Sequence, residues 1–419
     1  MKHTMSTLRN GLRTIVIDTG SFPSCTALLL VGTGSRYESK ENNGIAHFFE
    51  HMAFKGSSQY PTAMDLAQTV EGFGGVFNAF TSKEYTGYWI KGPVKHVTIM
   101  LEVLSDMIQS PILADEEIER EKGVIVEEIN MYEDQPQRRI AELYEQMLFP
   151  NNSLGFDVIG TKDTVRSFTR KTFQNFLHDY YAANNAVLIL AGGLGKNTYT
   201  QMIDEKFGSF RNSNVSTYLP FTSKQKKQVK VFHKATEQAH WILGYPSFST
   251  YDTRRYALNI LATILGGGMS SRLFSELREK RGLCYYISSG SDLFLDTGTY
   301  FTRAGVPANP AKVIEALKVT LEEQQKVAQN ISEAELKRAK ELIKGHFLLS
   351  LEDSFDMAFF MGERELFKKE VCTPEELLQK VDAVTKTEVT TMAKEILQED
   401  HIHIALIGPF KEDALRSFV

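Results

Sequence analysis

The sequence predicts an α+β protein of two structurally similar domains, each an antiparallel sheet with helices packed on one face. Three observations lead there. A chain of 419 residues exceeds what one hydrophobic core organises, so at least two domains are required. In each half strand-like runs come first and helical patterns follow, the order of a sheet covered by helices. The chain also repeats itself. Val165, Phe168 and Phe173 lead through a helix into the apolar run 186–192, and Val381, Val384 and Val389 lead likewise into 403–408, an offset of 216 positions without a gap.

The first half opens with the strand runs 13–18 and 26–31, the second with 228–232 and 240–245. Between the halves lies a polar stretch that begins Arg211-Asn-Ser-Asn and extends to about Lys227, where few apolar residues are available for a core. The expected division is therefore 1–211, a linker at 212–227, and 228–419.

The segment from Gly44 to Gly56 carries the densest chemistry. His47 and His51 are four residues apart, so on a helix both imidazoles reach one point. Zinc binds imidazole nitrogen, and a hydrolytic zinc keeps three protein ligands and one open position. Glu50, just before the second histidine, suits a different role. A carboxylate beside metal-bound water accepts its proton and returns it to a leaving amine. This is the H-x-x-E-H order of the inverzincins.

A third ligand is on offer further along. Residues 116–132 read as one long helix on which Glu121 and Glu128 are seven apart, two turns and hence one side. One of them is suited to bind the metal and the other to hold a ligand in place.

The H-x-x-E-H segment and a glutamate 77 positions after its second histidine together resemble the pitrilysin/insulinase family of zinc metallopeptidases, including bacterial homologues of the mitochondrial processing peptidase catalytic subunit. The likeness runs from Leu8 to the last strand. It implies one Zn2+ per subunit on His47, His51 and Glu128, with Glu50 as general base and Glu121 as the supporting glutamate. It implies two concave domains that assemble as a clamshell around short or unfolded peptide substrates, the first binding zinc and the second, without metal, completing the chamber. Arg278 and Tyr285 match a pair that faces the scissile bond from the non-zinc half, where a hydroxyl donates to the oxyanion and a guanidinium holds a carbonyl. The segment Gly75-Val76-Phe77-Asn78-Ala79-Phe80-Thr81 matches the edge strand that takes substrate as an added strand, a mode blind to side chains.

One departure bears on specificity. Family members that select basic residues carry acids just after the third ligand; here Glu142 fills the later position and Arg138 stands at the earlier one. A positive charge there repels a substrate arginine. The resemblance also implies a partner subunit, since longer members hold both pairs of domains in one polypeptide. A homodimer is the expected form, and a heterodimer with a related subunit the other. The competing role is a non-catalytic assembly or partner subunit of a heterodimeric processing peptidase, but such subunits lack ligands that this chain retains.

Composition supports an ordinary globular protein. The net charge of −5 argues against nucleic acid as the main partner. Cys25, Cys284 and Cys372 are scattered and odd in number, as reduced structural thiols are. The first residues lack an apolar signal core and no apolar run approaches membrane-spanning length, so the expected location is the cytoplasm, without membrane contact.

Overall fold

The computed structural model describes residues 2–20, 22–195, 199–222, 226–367 and 373–418. Cys372 and residues 223–225 of the expected linker lie outside them. The first half contains β1 Lys2–Thr7, β2 Arg13–Asp18, β3 Ser24–Val31, α1 Ile45–Met52, β4 Val76–Thr81 and β5 Thr86–Pro93. It continues with α2 Val97–Gln109, α3 Asp115–Glu133, α4 Pro136–Leu148, α5 Arg170–Tyr180 and β6 Ala186–Gly192. The second half contains β7 Gln228–His233, β8 Gln238–Ser247, α6 Arg255–Gly266, β9 Tyr286–Leu293 and β10 Gly298–Pro307. Then follow α7 Pro310–Gln329, α8 Ser354–Leu366, α9 Lys386–Ile396 and β11 His403–Gly408. None of the described helices is long and apolar enough to cross a membrane.

The two sheets share one plan. The first runs β1-β2-β6-β3-β5-β4 and the second β7-β11-β8-β10-β9. Each contains one parallel pair, β2 with β6 and β7 with β11, in otherwise antiparallel order. That pair departs from the purely antiparallel expectation because the returning strand arrives after a long helical excursion, the connection parallel pairing needs. The repeat is visible down to its caps. Thr169 starts α5 and Thr385 starts α9, each accepting a hydrogen bond from the backbone N–H three residues on. Such caps satisfy helix donors that otherwise have no partner.

Each sheet has its own half's helices on one face, as expected, and a further helix on the other. In the first sheet, Leu29 of β3 pairs with Tyr88 of β5, and the Tyr88 hydroxyl meets the Tyr181 hydroxyl at 2.8 Å. The ring of Tyr181 lies 4.9 Å from that of Phe49 on α1, so α1 belongs to this face. Alternate residues face the opposite way. There Thr26 bonds Ser354 of α8 at 2.8 Å, and Trp89 packs on Phe355 with ring centroids 5.0 Å apart. Strands such as β3 and β6, apolar at nearly every position, require cover on both faces.

The second sheet is covered likewise. Ile140, Tyr144, Met147 and Leu148 of α4 form one core with Ile242 of β8 and with Ala405 and Ile407 of β11. On the opposite face the Tyr245 hydroxyl donates to Gln324 of α7 at 2.8 Å. Glycine at 244 is needed for the close approach of α4, since a Cβ there would lie 2.2 Å from the Tyr144 hydroxyl.

The compact units consequently interrupt the contiguous division expected from sequence. One comprises Met1–Ile129, Phe156–Leu219 and Leu348–Thr373; the other comprises Asn130–Gly155, Pro220–Phe347 and Pro374–Val419. The exchanged pieces are those that carry α4 and α8. Cys25 and Cys284 are buried and unbridged, and burial pushes their thiols up to about 12 and about 11.

Candidate metal centre

α1 is only eight residues long, too short to hold itself together by propensity. Its position comes from packing and from its first turn. Phe48 and Phe49 are buried, the Phe48 ring 5.0 Å from that of Phe173 on α5. Gly44, the N-cap, has φ of 96°, a left-handed conformation that favours glycine. A Cβ there would also strike the carbonyl of Ile159 at 2.7 Å. The first-turn donors end on a buried carboxylate. Glu38 accepts from the backbone N–H of Gly44 (2.8 Å) and of Ala46 (2.9 Å), and from the Asn43 amide (2.9 Å).

With its apolar face fixed, α1 presents His47 and His51 together, ring centroids 4.7 Å apart. α3 supplies the carboxylates. Glu128 Oε2 lies 3.8 Å from His47 Nε2 and 3.6 Å from His51 Nε2. One ligand atom from each of the three residues falls within 4.8 Å of the others, the one such His/Cys/Asp/Glu group among the described residues. Two atoms bound to a tetrahedral zinc at ~2.0–2.1 Å stand roughly 3.3 Å apart. The donor types and spacing therefore fit a zinc ion, which small side-chain movements would close around.

Glu121, 3% exposed, plays the other part. Its Oε1 is 2.8 Å from His51 Nδ1, and its Oε2 is 2.5 Å from Lys55 Nζ. Burial works against its ionisation, but the bonds from His51 and Lys55 hold its carboxyl below the ordinary value. An ionised Glu121 accepts a hydrogen bond from the Nδ1–H of His51 and so leaves Nε2 free to bind metal. Burial opposes the imidazolium of His51 too, yet the bond to Glu121 and the charges of Glu121, Glu128 and Glu50 raise it. That acidic surrounding attracts a cation.

Glu50 stays outside the ligand set. Its Oε2 accepts from Thr81 Oγ1 at 2.5 Å, so its other oxygen remains for a proton. Burial raises its carboxyl, as does the neighbouring charge of Glu128, while Thr81 and His51 lower it.

The partner of Glu50 lies on β4, the terminal strand of its sheet. Phe77, Ala79 and Thr81 share one side of this strand, where Phe77 meets Phe54 with rings 5.4 Å apart. Phe80 turns to the other side and packs on Phe355 and Phe359 of α8, at 6.1 and 5.7 Å. Gly75 immediately precedes the strand, and a Cβ on it would collide with the Phe73 ring. The N–H of Ala79 donates to the side chain of Asn78 at 2.8 Å. A bond so local blunts an edge without closing it.

Comparison with known proteins gives the family. Residues 13–162 match the family described as insulinase (peptidase family M16), and residues 167–343 the peptidase M16 inactive domain. The chain is 35% identical to the uncharacterized zinc protease YmxG of Bacillus subtilis, over 96% of this chain and 97% of that one. A Streptomyces coelicolor protein, also named an uncharacterized zinc protease, is 34% identical over 97% of this chain and 90% of its own.

The chain belongs to peptidase family M16. Solved structures extend the likeness to the fold. A protease from Helicobacter pylori superposes with a TM-score of 0.90 at 25% identity, covering 97% of this chain and all of the other. A Pseudomonas fluorescens M16 inactive domain reaches the same TM-score at 18% identity, covering 98% and 99% of the two chains.

The second unit of this M16 chain holds the remaining two expected residues. Arg278 Nη1 donates to the carbonyl of Tyr285 at 2.7 Å, and its guanidinium lies 5.3 Å from the Tyr285 ring centre. Tyr285 itself is 73% exposed. Arg278 sits in a single π-helical turn, Phe274–Glu279, a distortion common at functional positions. The two are brought together, but in the compact unit that does not contain His47, His51 and Glu128.

Glu38 and Lys55 make contacts that support the site and that the sequence motifs do not mark, and the bond from Thr81 to Glu50 is a third. Lys55 left a usable signal, since it follows His51 by four residues, one turn further along. Glu38 left less, being joined to its helix through an irregular loop.

Proposed function

We propose that this M16 chain is a zinc-dependent endopeptidase acting on short or unfolded peptides. The observation that carries the reading is Glu50, fixed by Thr81 beside a three-residue ligand set and excluded from it. Held by His47, His51 and Glu128, zinc would supply Lewis acidity and a readily deprotonated water. Glu50 takes the proton of the attacking water on the oxygen that Thr81 leaves free, and delivers it to the departing amine nitrogen. β4 offers an edge on which an extended backbone adds as a strand. An extended backbone that lacks its own strand partner is what such an edge accepts, which favours unfolded segments as substrates.

A preference for basic residues is not part of the proposal. Glu142 is paired with Arg139, and Arg138 stacks on Tyr132 3.5 Å from its ring centre. Neither residue offers an unbalanced negative charge.

The working form is proposed to be a dimer. Arg278 and Tyr285 of one copy serve the metal site of the other, the second half having no His/His/Glu set among its described residues. The test of activity is digestion of a mixed peptide library by zinc-loaded protein, with cleavage sites read by mass spectrometry. Internal cuts that vanish with a chelator and return with zinc are expected. An intact library after zinc loading would point instead to a non-catalytic subunit.

A further inference from the structure

A cavity of about 480 Å³ lies behind the metal helix in the first unit, and the peptidase reading makes no use of it. Its size falls in the range of small-molecule sites. Ile108, Leu113, Tyr181 and Phe210 line it and are buried. The Tyr181 ring that closes one side also packs on Phe49 of α1. Leu113 has φ of 53°, a left-handed conformation unusual for a leucine; such strain tends to occur at ligand sites.

The charges of the lining are one-sided. Arg170 and Arg211 both line the cavity and no Asp or Glu does, in a chain of net charge −5. Each guanidinium is held by main-chain carbonyls, Arg170 by Ile112 at 3.0 Å and Arg211 by Leu177 and His178. Neither is paired with a carboxylate among the described residues.

The two arginines are not equivalent. Leu177 and His178 are in the last turn of α5, so the charge of Arg211 is set against the negative end of that helix. Arg170 is the first residue of α5, where the helix end is positive and favours an anion. An anion is therefore drawn to the Arg170 end, while Ile108, Leu113 and Phe210 supply an apolar wall in a lining that also carries polar side chains such as Gln109, Gln174 and Ser209.

We propose that this cavity binds a small apolar carboxylate, its anionic group at Arg170 and its hydrocarbon body along Ile108, Leu113 and Phe210. A free fatty acid and the C-terminal residue of a peptide share this chemistry.

Calorimetric titration of the full-length protein with octanoate, 1-octanol and N-acetyl-leucine tests the idea. Octanoate should saturate one site per chain and bind about tenfold more tightly than octanol, the worth of one charge-assisted hydrogen bond. Arg170→Gln, at an exposed position, should abolish that difference, and Gln174→Trp should fill the cavity and block octanoate. N-acetyl-leucine binding more tightly than octanoate assigns the site to peptide C-termini; the reverse order assigns it to free fatty acids. Equal affinity for acid and alcohol would overturn the proposal. So would absence of saturable octanoate binding, or an Arg170→Gln protein with unchanged octanoate affinity. Peptidase activity does not enter these readouts, so the outcome is independent of the proposed function.

Discussion

Glu38 accepts a hydrogen bond from the backbone N–H of Ala46, the residue just before the first histidine, at 2.9 Å. A loop carboxylate thereby anchors the helix that presents both imidazoles. Replacing Glu38 by Ala leaves buried donors without a partner and should cost about 2 kcal/mol of stability. Urea unfolding measures this, and metal affinity should fall with it.

The same residue carries a pH dependence. Burial pushes the Glu38 carboxyl up to about 7 from an ordinary 4.5, against the opposing bonds from Ala46, Gly44 and Asn43. The folded chain then holds the Glu38 proton where the unfolded chain has lost it. This contribution to stability is present in full below about 4.5 and declines as pH rises through about 7. Glu38→Gln should flatten that decline in unfolding experiments across the window; an unchanged slope would contradict the assignment.

Glu121 and Lys55 form the support behind His51. Glu121→Gln should weaken zinc binding by about 10–100-fold, as loss of such supporting bonds does, measured by competition with a chromophoric chelator. Lys55→Met leaves the buried carboxylate without its ammonium, and should lower stability by about 1–2 kcal/mol in urea unfolding.

The ligands were legible because their spacing is that of one helix face, four residues between the histidines and two turns between the glutamates. The shared sheet plan was legible from the 216-position offset. The exchange of α4 and α8 was not. An apolar stripe such as Ile140, Tyr144 and Met147 states that a helix buries one side, without stating against which sheet. Glu38 escaped notice for a related reason, since its partners are backbone N–H groups that no side-chain pattern records.

Gly362 tests the position of α8. A Cβ at this residue would come within 2.5 Å of Ile189 on β6 and 2.9 Å of Leu30 on β3. Gly362→Val should overpack the interface and destabilise the protein by about 1–3 kcal/mol. A thermal unfolding midpoint equal to wild type would mean that α8 does not lie against this sheet.

β4 can be tested as the substrate strand without touching the metal. Ala79→Pro removes a backbone N–H from the terminal strand, where proline is tolerated structurally. Zinc content should be unchanged, while kcat/KM for peptides falls by about tenfold or more. Unaltered peptide kinetics would exclude strand addition at this residue.

The central claim is that three residues bind zinc while Glu50 moves the proton, and Glu50→Gln separates the two roles most directly. The amide keeps the shape of the side chain and cannot accept the proton. Zinc content, measured by atomic absorption on the purified variant, should match wild type, and peptide turnover should fall by at least about 10²-fold. A Glu50→Gln protein that binds zinc and cleaves peptides at the wild-type rate would contradict the account.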